Sequence, residues 1–314
     1  MVRVLFLVLA TCFLINSNTF AFDKDASSTL SHYIMGVMHE GMGDLDSAIE
    51  EYKQALDKDY ESAIIHLNLA ANYIKKDKLD QAVEELNLSA KFDPDAVEPH
   101  AILAILYSSQ NKLDKSAEEY ELALKKASKL EPGNVEIYKN LGVLYLQQKR
   151  AEEAQKIYKL IVDLSPDDPE ARFYLASVYN NLGKDDLAEQ ELKKALELNP
   201  QYHQALNFLG YLYVEENRDL DRAGEMIDKA LEMQPDNGAY VDSLGWFYFK
   251  KGKFQEAKDK LEQASTLLED PVIYDHLGDV YQKLNDVENA KLNWRKSLEL
   301  DPNQDKIKEK IEKW

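Results

Sequence analysis

Residues 141–154 read LGVLYLQQKRAEEA, and residues 277–290 repeat the same arrangement of small, aromatic and apolar positions as LGDVYQKLNDVENA. In each stretch a tyrosine follows the glycine by three residues, and an alanine closes the stretch. The arrangement recurs about every 34 residues along the chain, so internal repetition has to be interpreted before any local motif.

Eight repeats align on this arrangement, and each has glycine or alanine at its first small position. Those positions are Gly36, Ala70, Ala104, Gly142, Ala176, Gly210, Gly245 and Gly278. The repeats span about residues 29–62, 63–96, 97–134, 135–168, 169–202, 203–237, 238–270 and 271–304. Such regular spacing predicts one structural unit per repeat.

Each repeat contains two runs of apolar residues at helical spacing, separated by a fixed break. The break positions are Gly43, Asp77, Asn111, Lys149, Gly183, Asn217, Gly252 and Asn285. Six of these eight residues are glycine or asparagine, which tolerate the left-handed backbone that ends a helix. A proline, which cannot continue a helix, follows most of the second runs. The pattern therefore predicts a helix, a short turn and a second helix in every repeat.

These features resemble the tetratricopeptide repeat family, whose signature places a small residue, an aromatic residue, an alanine and a closing proline at the same intervals. The resemblance covers residues 29–304. It implies an all-α fold, a right-handed α-solenoid of about eight helix–turn–helix repeats. The family's tryptophan near the start of a repeat is replaced here, by His32, His66 and His100 in the first three repeats.

The last ten residues, 305–314, place Ile307, Ile311 and Trp314 on one face of a helix. We interpret this segment as a capping helix that covers the apolar side of the last repeat. The alternative is that it serves as a docking helix for a partner.

The first 21 residues have the pattern of a secretory signal peptide. Arg3 precedes an apolar run over residues 4–15, and Ala21 ends a segment typical of a cleavage site. About 20 apolar residues are needed to span a bilayer, so this run is too short for a transmembrane helix. The pattern predicts export to the periplasm or cell envelope, with residues 22–28 leading into the repeats. We assign Cys12, the only cysteine, to the apolar run rather than to a lipid attachment site, because the run continues beyond it.

The composition restricts the partners. The chain has 38 basic and 57 acidic residues and a formal net charge of −19. Such a surface repels nucleic-acid phosphates and anionic lipids. A protein or peptide partner with basic and apolar side chains fits this charge, whereas nucleic acid does not.

No sequence motif indicates catalysis. Phosphate-binding loops, zinc-protease motifs and calcium-binding loops are all missing from the sequence. His32, His66 and His100 recur at equivalent positions, but helix axes about 8–10 Å apart would hold them too far from each other to share a metal. We therefore interpret them as packing residues and predict a protein that is not an enzyme and needs no metal or cofactor.

In the tetratricopeptide repeat family the first helix of each repeat lines a concave groove, and this resemblance implies a second, unpacked stripe on that helix. In the last three repeats the stripe comprises Gln204, Asn207, Tyr211, Val214, Ala239, Asp242, Trp246, Phe249, Val272, Asp275, Asp279 and Gln282. The predicted binding residues are Asn207, Tyr211, Asp242, Trp246, Phe249, Asp275 and Asp279. They suit an extended peptide with apolar and basic side chains. The alternative is that the aromatic residues pack against the neighbouring first helix.

The resemblance and the signal pattern together imply a scaffold that binds other proteins in the cell envelope. The family's exported bacterial members serve envelope assembly, pilus biogenesis or polysaccharide export, and the sequence does not choose among these. An alternative is a glycan-handling scaffold, in which Tyr211, Trp246 and Phe249 stack on sugar rings. The oligomeric state is left open.

Overall fold

The computed structural model describes residues 24–313, and this part of the chain contains 17 α-helices and no β-strand. The predicted signal peptide, Cys12, the first two residues of the lead and Trp314 lie outside the described residues. Within each of the two compact units described below, helices that follow one another in sequence pack against each other, as expected for helix–turn–helix repeats.

The chain divides after Leu130 into two compact units, called here the N-terminal unit and the C-terminal unit. The N-terminal unit contains α1 Lys24–Gly41, α2 Leu45–Leu56, α3 Ala63–Lys75, α4 Leu79–Phe92, α5 Glu98–Ser109 and α6 Leu113–Leu130. The C-terminal unit contains α7 Val135–Gln147, α8 Ala151–Leu164, α9 Pro169–Asn181, α10 Asp185–Leu198, α11 His203–Glu215, α12 Leu220–Met233, α13 Gly238–Lys250, α14 Phe254–Leu267, α15 Pro271–Lys283, α16 Val287–Leu300 and α17 Asp305–Glu312.

Four of the five first helices of the C-terminal unit begin at polar capping residues, whereas α11 begins after Tyr202 without a side-chain cap. The side chain of Asp168 accepts hydrogen bonds from the backbone N–H groups of Glu170 and Ala171, at 2.9 and 3.2 Å. Asn237 and Asp270 cap α13 and α15 in the same way. These side chains satisfy N–H groups that have no partner within the helix. The starts of these four helices are therefore fixed by local chemistry.

The turn inside each repeat has a residue in the left-handed region. All eight predicted break positions have positive φ, between 53° at Asn217 and 79° at Gly43. In the repeat that begins with α7, Lys149 has φ 57°, and the N–H of Arg150 donates to the carbonyl oxygen of Tyr145 at 2.8 Å. This hydrogen bond closes the end of the helix. The predicted turn positions are confirmed.

Replacing Lys149 with glycine is expected to raise the free energy of unfolding by about 0.5–1 kcal/mol. A side chain in the left-handed region costs about 1–2 kcal/mol, and the larger entropy of glycine in the unfolded chain offsets part of the gain. Urea denaturation of the full chain measures the change. Asn285→Gly is the matched control, because asparagine already tolerates its φ of 64° and its gain should be smaller. A loss of stability for Lys149→Gly would contradict the prediction.

The first small position of a repeat faces a large side chain from the second helix. A Cβ atom added to Gly36 would lie 2.6 Å from the ring of Tyr52, and one added to Gly142 would lie 2.8 Å from the ring of Tyr158. A real Cβ cannot approach a ring so closely, so glycine is required there. Gly278 provides the same space for Trp294.

Gly210 and Gly245 instead face the aliphatic side chains of Ile227 and Leu261, and two of the repeats with alanine at this position also have an aliphatic side chain. Sixteen residues after Ala70 and Ala176 the second helix has Leu86 and Leu192, which are fully buried. Sixteen residues after Ala104 it has Tyr120, which is 39% exposed. A ring at this place is therefore buried where glycine faces it and left partly outside where alanine does.

The histidines that replace the family's tryptophan pair with acids of the next helix. His32, His66 and His100 lie 2.7, 2.6 and 2.7 Å from carboxylate oxygens of Glu51, Glu85 and Glu119. Burial lowers the pKa of the imidazole at position 66, but its contacts with glutamate and with a backbone carbonyl outweigh burial and raise that pKa. Within residues 24–313 no group of three or more His, Cys, Asp or Glu side chains is placed to hold a metal ion.

Helix α17 packs on α16 at the end of the C-terminal unit. Ile307 is buried against Ala290 and Trp294, and Ile311 packs partly against the same cluster. The apolar face predicted for the last segment therefore contacts the last repeat.

Candidate partner-binding site in the C-terminal unit

The seven predicted binding residues lie on three first helices of the C-terminal unit. Asn207 and Tyr211 are on α11, three are on α13, and Asp275 and Asp279 are on α15. Helix α13 contacts both α11 and α15 directly. The structure therefore brings the stripes of three successive repeats together.

Trp246 is packed inside this assembly rather than exposed. Its ring stacks on Phe249 at 4.4 Å and on His276 at 4.0 Å, with interplanar angles of 5° and 11°. Its indole N–H donates to the carboxylate of Glu215 on α11, and the residue is only 7% exposed. Trp246 therefore packs against a neighbouring first helix, as in the alternative interpretation of the aromatic residues.

Asp242 is occupied by a buried ion pair with His276. The imidazole Nδ1 donates to a carboxylate oxygen of Asp242 at 2.9 Å, and both side chains are buried. Burial lowers the pKa of His276, but the charge and hydrogen bond of Asp242, assisted by Asp275 and Glu215, outweigh burial and raise it. No sequence pattern indicated His276, because its role depends on contacts with a different repeat.

The two acidic residues on α15 are bound by a lysine of the terminal helix. The ammonium group of Lys310 lies 2.6 Å from Asp275 and 2.7 and 2.8 Å from the two oxygens of Asp279. The indole N–H of Trp294 also donates to Asp279, at 3.2 Å. Burial and the neighbouring charge of Asp275 raise the pKa of Asp279, while Lys310 acts against them.

The predicted site is therefore partly closed by the protein itself. The expected aromatic floor is packed at Trp246, and the expected acidic wall carries an intramolecular lysine. Lys310 was missed because it lies about 31–35 residues further along the chain, in the terminal helix.

The open part of the site is a pocket of about 330 Å³ beside Tyr211. We call it the α11 pocket; it is lined by Phe173, Gln204, Asn207, Phe208, Tyr211, Ala239, Tyr240, Asp242, Ser243, Leu268, Asp270, Val272 and Ile273. Six of these residues belong to the predicted stripes of three successive repeats. The sequence therefore indicated one wall of this pocket, and the packing residues Phe173, Phe208 and Tyr240 complete it.

Two side-chain acceptors in the α11 pocket have no hydrogen-bond partner. They are Oε1 of Gln204 and Oδ1 of Asn207, both of which are buried among the described residues. Buried polar atoms are nearly always hydrogen-bonded, so each unpaired oxygen is a position where a donor would be stabilising.

None of the helices in residues 24–313 has the length and apolar character that a bilayer span requires.

Comparisons with known proteins identify the repeats. Residues 24–243, more than half of the chain, match the family model for the cilia and flagella-associated protein 70 C-terminal domain. Residues 272–304 match the tetratricopeptide repeat model. The TPR repeat-containing protein PA4667 of Pseudomonas aeruginosa is 34% identical over 98 residues, which are 31% of this chain and 17% of that protein. The chain thus matches less than a fifth of that relative's length.

Three solved structures share the fold. A thermophilic TPR protein of Thermus thermophilus has a TM-score of 0.50 and 22% identity, over 57% of this chain and 97% of its own. A tetratricopeptide repeat protein of Parabacteroides merdae has a TM-score of 0.50 and 20% identity, over 91% and 98%. The Cut9–Hcn1 hetero-tetramer of the APC/C has a TM-score of 0.55 and 16% identity, over 90% and 69%. With these helices and these matches, the chain belongs to the tetratricopeptide repeat family and folds as an α-solenoid of helical repeats.

Proposed function

We propose that this protein is a non-enzymatic scaffold, exported to the cell envelope, that binds partner proteins or peptides on the first helices of its repeats. The α11 pocket carries the proposal, because four successive repeats contribute to it and two of its polar atoms lack partners. Tetratricopeptide repeats are in general protein-binding scaffolds, which agrees with this use of the surface. The signal pattern of residues 1–21 supports export.

In this proposal the partner is a protein of envelope assembly, pilus biogenesis or polysaccharide export. Handling of glycan itself is less well supported. A sugar ring needs an open aromatic face to stack on, and Trp246 is almost completely buried against Phe249 and His276. The packing therefore favours a protein partner over a sugar.

Site-specific photo-crosslinking in cells that express the full chain tests the proposal. A benzoylphenylalanine in place of Phe208, which lines the α11 pocket, is expected to form adducts with a partner protein. The same probe in place of Leu292, which is 61% exposed on the second helix α16, is the matched control and should form few adducts. Equal labelling at both positions, or none at Phe208, would contradict the proposal.

Export of the protein is tested by a separate experiment. Sequencing the amino terminus of the mature chain is expected to begin at Phe22, directly after the predicted cleavage site. A chain that retains Met1 and fractionates with the cytoplasm would contradict export without affecting the binding proposal.

A further inference from the structure

We propose that the α11 pocket binds the guanidinium group of an arginine carried by an extended segment of the partner. This inference rests on the proposed function and adds the chemical class of the group that the pocket recognises. It follows from three properties of the pocket: its unpaired acceptors, its aromatic walls and its charge.

The unpaired acceptors favour a ligand that donates hydrogen bonds. Gln204 and Asn207 are three residues apart on α11, so their side chains emerge from the same face of the helix. Their amide oxygens are buried and unpaired. A guanidinium group has five N–H donors in a rigid planar fork and can serve two acceptors at once. A carboxylate or phosphate group has no donor to offer them.

The aromatic walls suit a flat cation. Phe173, Phe208, Tyr211 and Tyr240 all line the pocket, and the rings of Phe173 and Phe208 lie 6.1 Å apart in an edge-to-face arrangement. Guanidinium groups stack on aromatic faces and are more weakly hydrated than the ammonium group of lysine. Arginine therefore fits these walls better than lysine does.

The charge of the pocket also favours a cation. Of the described residues that line it, none is lysine or arginine; Asp270 is acidic, and the carboxylate of Asp242 is paired with His276. The imidazole of His276 is 6.4 Å from the ring of Tyr211, but Asp242 neutralises it. Burial raises the pKa of Tyr211, and the nearby acidic groups of Glu215, Asp242 and Asp275 raise it further.

The size of the pocket limits the ligand to one side chain and its neighbours. A volume of about 330 Å³ lies near the lower end of the roughly 300–1,000 Å³ that is usual for ligand pockets. A folded domain could not enter it. An extended segment could place one arginine inside while its flanking residues lie along α11 and α13.

Binding of short peptides to the full chain tests the inference. The probes are fluorescein-labelled Ala-Ala-Arg-Ala-Ala amide and the same peptide with citrulline, which keeps the shape of arginine but has no charge. We expect the arginine peptide to bind at least about ten-fold more tightly by fluorescence anisotropy, with the lysine peptide between the two. Equal affinity for arginine and citrulline would overturn the inference.

The variant Gln204→Leu/Asn207→Leu removes both acceptors and should abolish the preference for arginine. Its melting temperature should not fall, because the replaced oxygens are unpaired in the free protein. Asn140→Leu, an exposed amide on α7, is the matched control and should keep the preference. A double variant that stays folded and still prefers arginine would overturn the inference.

The crosslinking experiment separates this inference from the proposed function. If the Phe208 probe captures a partner and the arginine peptide competes with that adduct, both proposals are supported. If the adduct persists in the presence of peptide and in the double variant, the arginine inference is wrong and the scaffold function stands. If no adduct forms at all, the proposed function itself fails.

Discussion

Replacing Trp294 with alanine is expected to lower the free energy of unfolding of the last repeat by about 3–5 kcal/mol, the usual cost of removing a large buried ring. The ring of Trp294 is fully buried between α15 and α16, against the space left by Gly278 and beside Ile307 of the terminal helix. Its indole N–H also donates to Asp279. The substitution leaves a cavity and removes one hydrogen bond from Asp279, which keeps its contacts with Lys310.

Amide hydrogen exchange in α15 and α16 measures this change, because repeat proteins open locally and one global transition would average over the repeats. Leu292→Ala on the same helix is the matched control. Leu292 is largely exposed, so its substitution should change stability by less than about 0.5 kcal/mol. Similar losses at both positions would show that Trp294 has no special role.

The pairing of Gly278 with Trp294 makes a sharper test possible. Gly278→Ala should cost about 1–3 kcal/mol, because the added Cβ collides with the indole ring. Trp294→Leu should also cost stability, through the cavity it leaves. The double variant restores the alanine–leucine combination that the chain uses at Ala70 and Leu86, so its loss should be smaller than the sum by at least about 1 kcal/mol. Additive losses would contradict this account of the small position.

The fold could be predicted because its determinants are local. Helical spacing places the apolar residues, and the break residues select the left-handed turn. Even Lys149, which has no preference for this backbone, adopts it, because the repeat places it where Asn111 and Gly183 stand in its neighbours. The choice of glycine or alanine at the small position is also read directly from the sequence. Which side chain of the second helix faces that position depends on packing between two helices, so the sequence did not predict it.

The candidate site could be predicted only in part, because its contacts join different repeats. Tyr211 and Trp246 occupy equivalent positions on α11 and α13, yet Tyr211 lines a pocket and Trp246 is stacked on a histidine. The difference comes from His276 and Glu215, which lie on the neighbouring first helices. No spacing rule within one repeat contains that information. Lys310 was even less predictable, because its partners lie on α15 and it belongs to no repeat itself.

The second large effect is expected for Asp242→Asn, which should lower the free energy of unfolding at about pH 6 by about 3 kcal/mol. Removing one partner of a buried ion pair leaves the other charge without compensation. His276 is such a charge, since Asp242 contacts it directly and both side chains are buried. Asp259→Asn, an exposed carboxylate on α14, is the matched control and should have little effect.

The pH dependence of the same variant identifies the cause. In the wild type the pKa of His276 is raised above its ordinary value of 6.5. Its contribution to stability is therefore complete below that value and is lost as the pH rises through the folded pKa. The Asp242→Asn variant lacks the carboxylate charge that raises the pKa of His276 against the effect of burial. The pKa of His276 should therefore fall in this variant. The stability difference between the two proteins should then shrink as the pH rises above 6.5 and through the folded pKa of His276.

Nuclear magnetic resonance of labelled histidine in the full chain reads the pKa of His276 directly, apart from the other five histidines. Asp275 and Glu215 also face this imidazole and remain in the variant, so they limit how far the pKa can fall. An unchanged pKa, or a stability difference that grows with pH, would show that the ion pair does not hold α13 against α15. Because Asp242 also lines the α11 pocket, the same variant should weaken binding of the arginine peptide under conditions in which it remains folded.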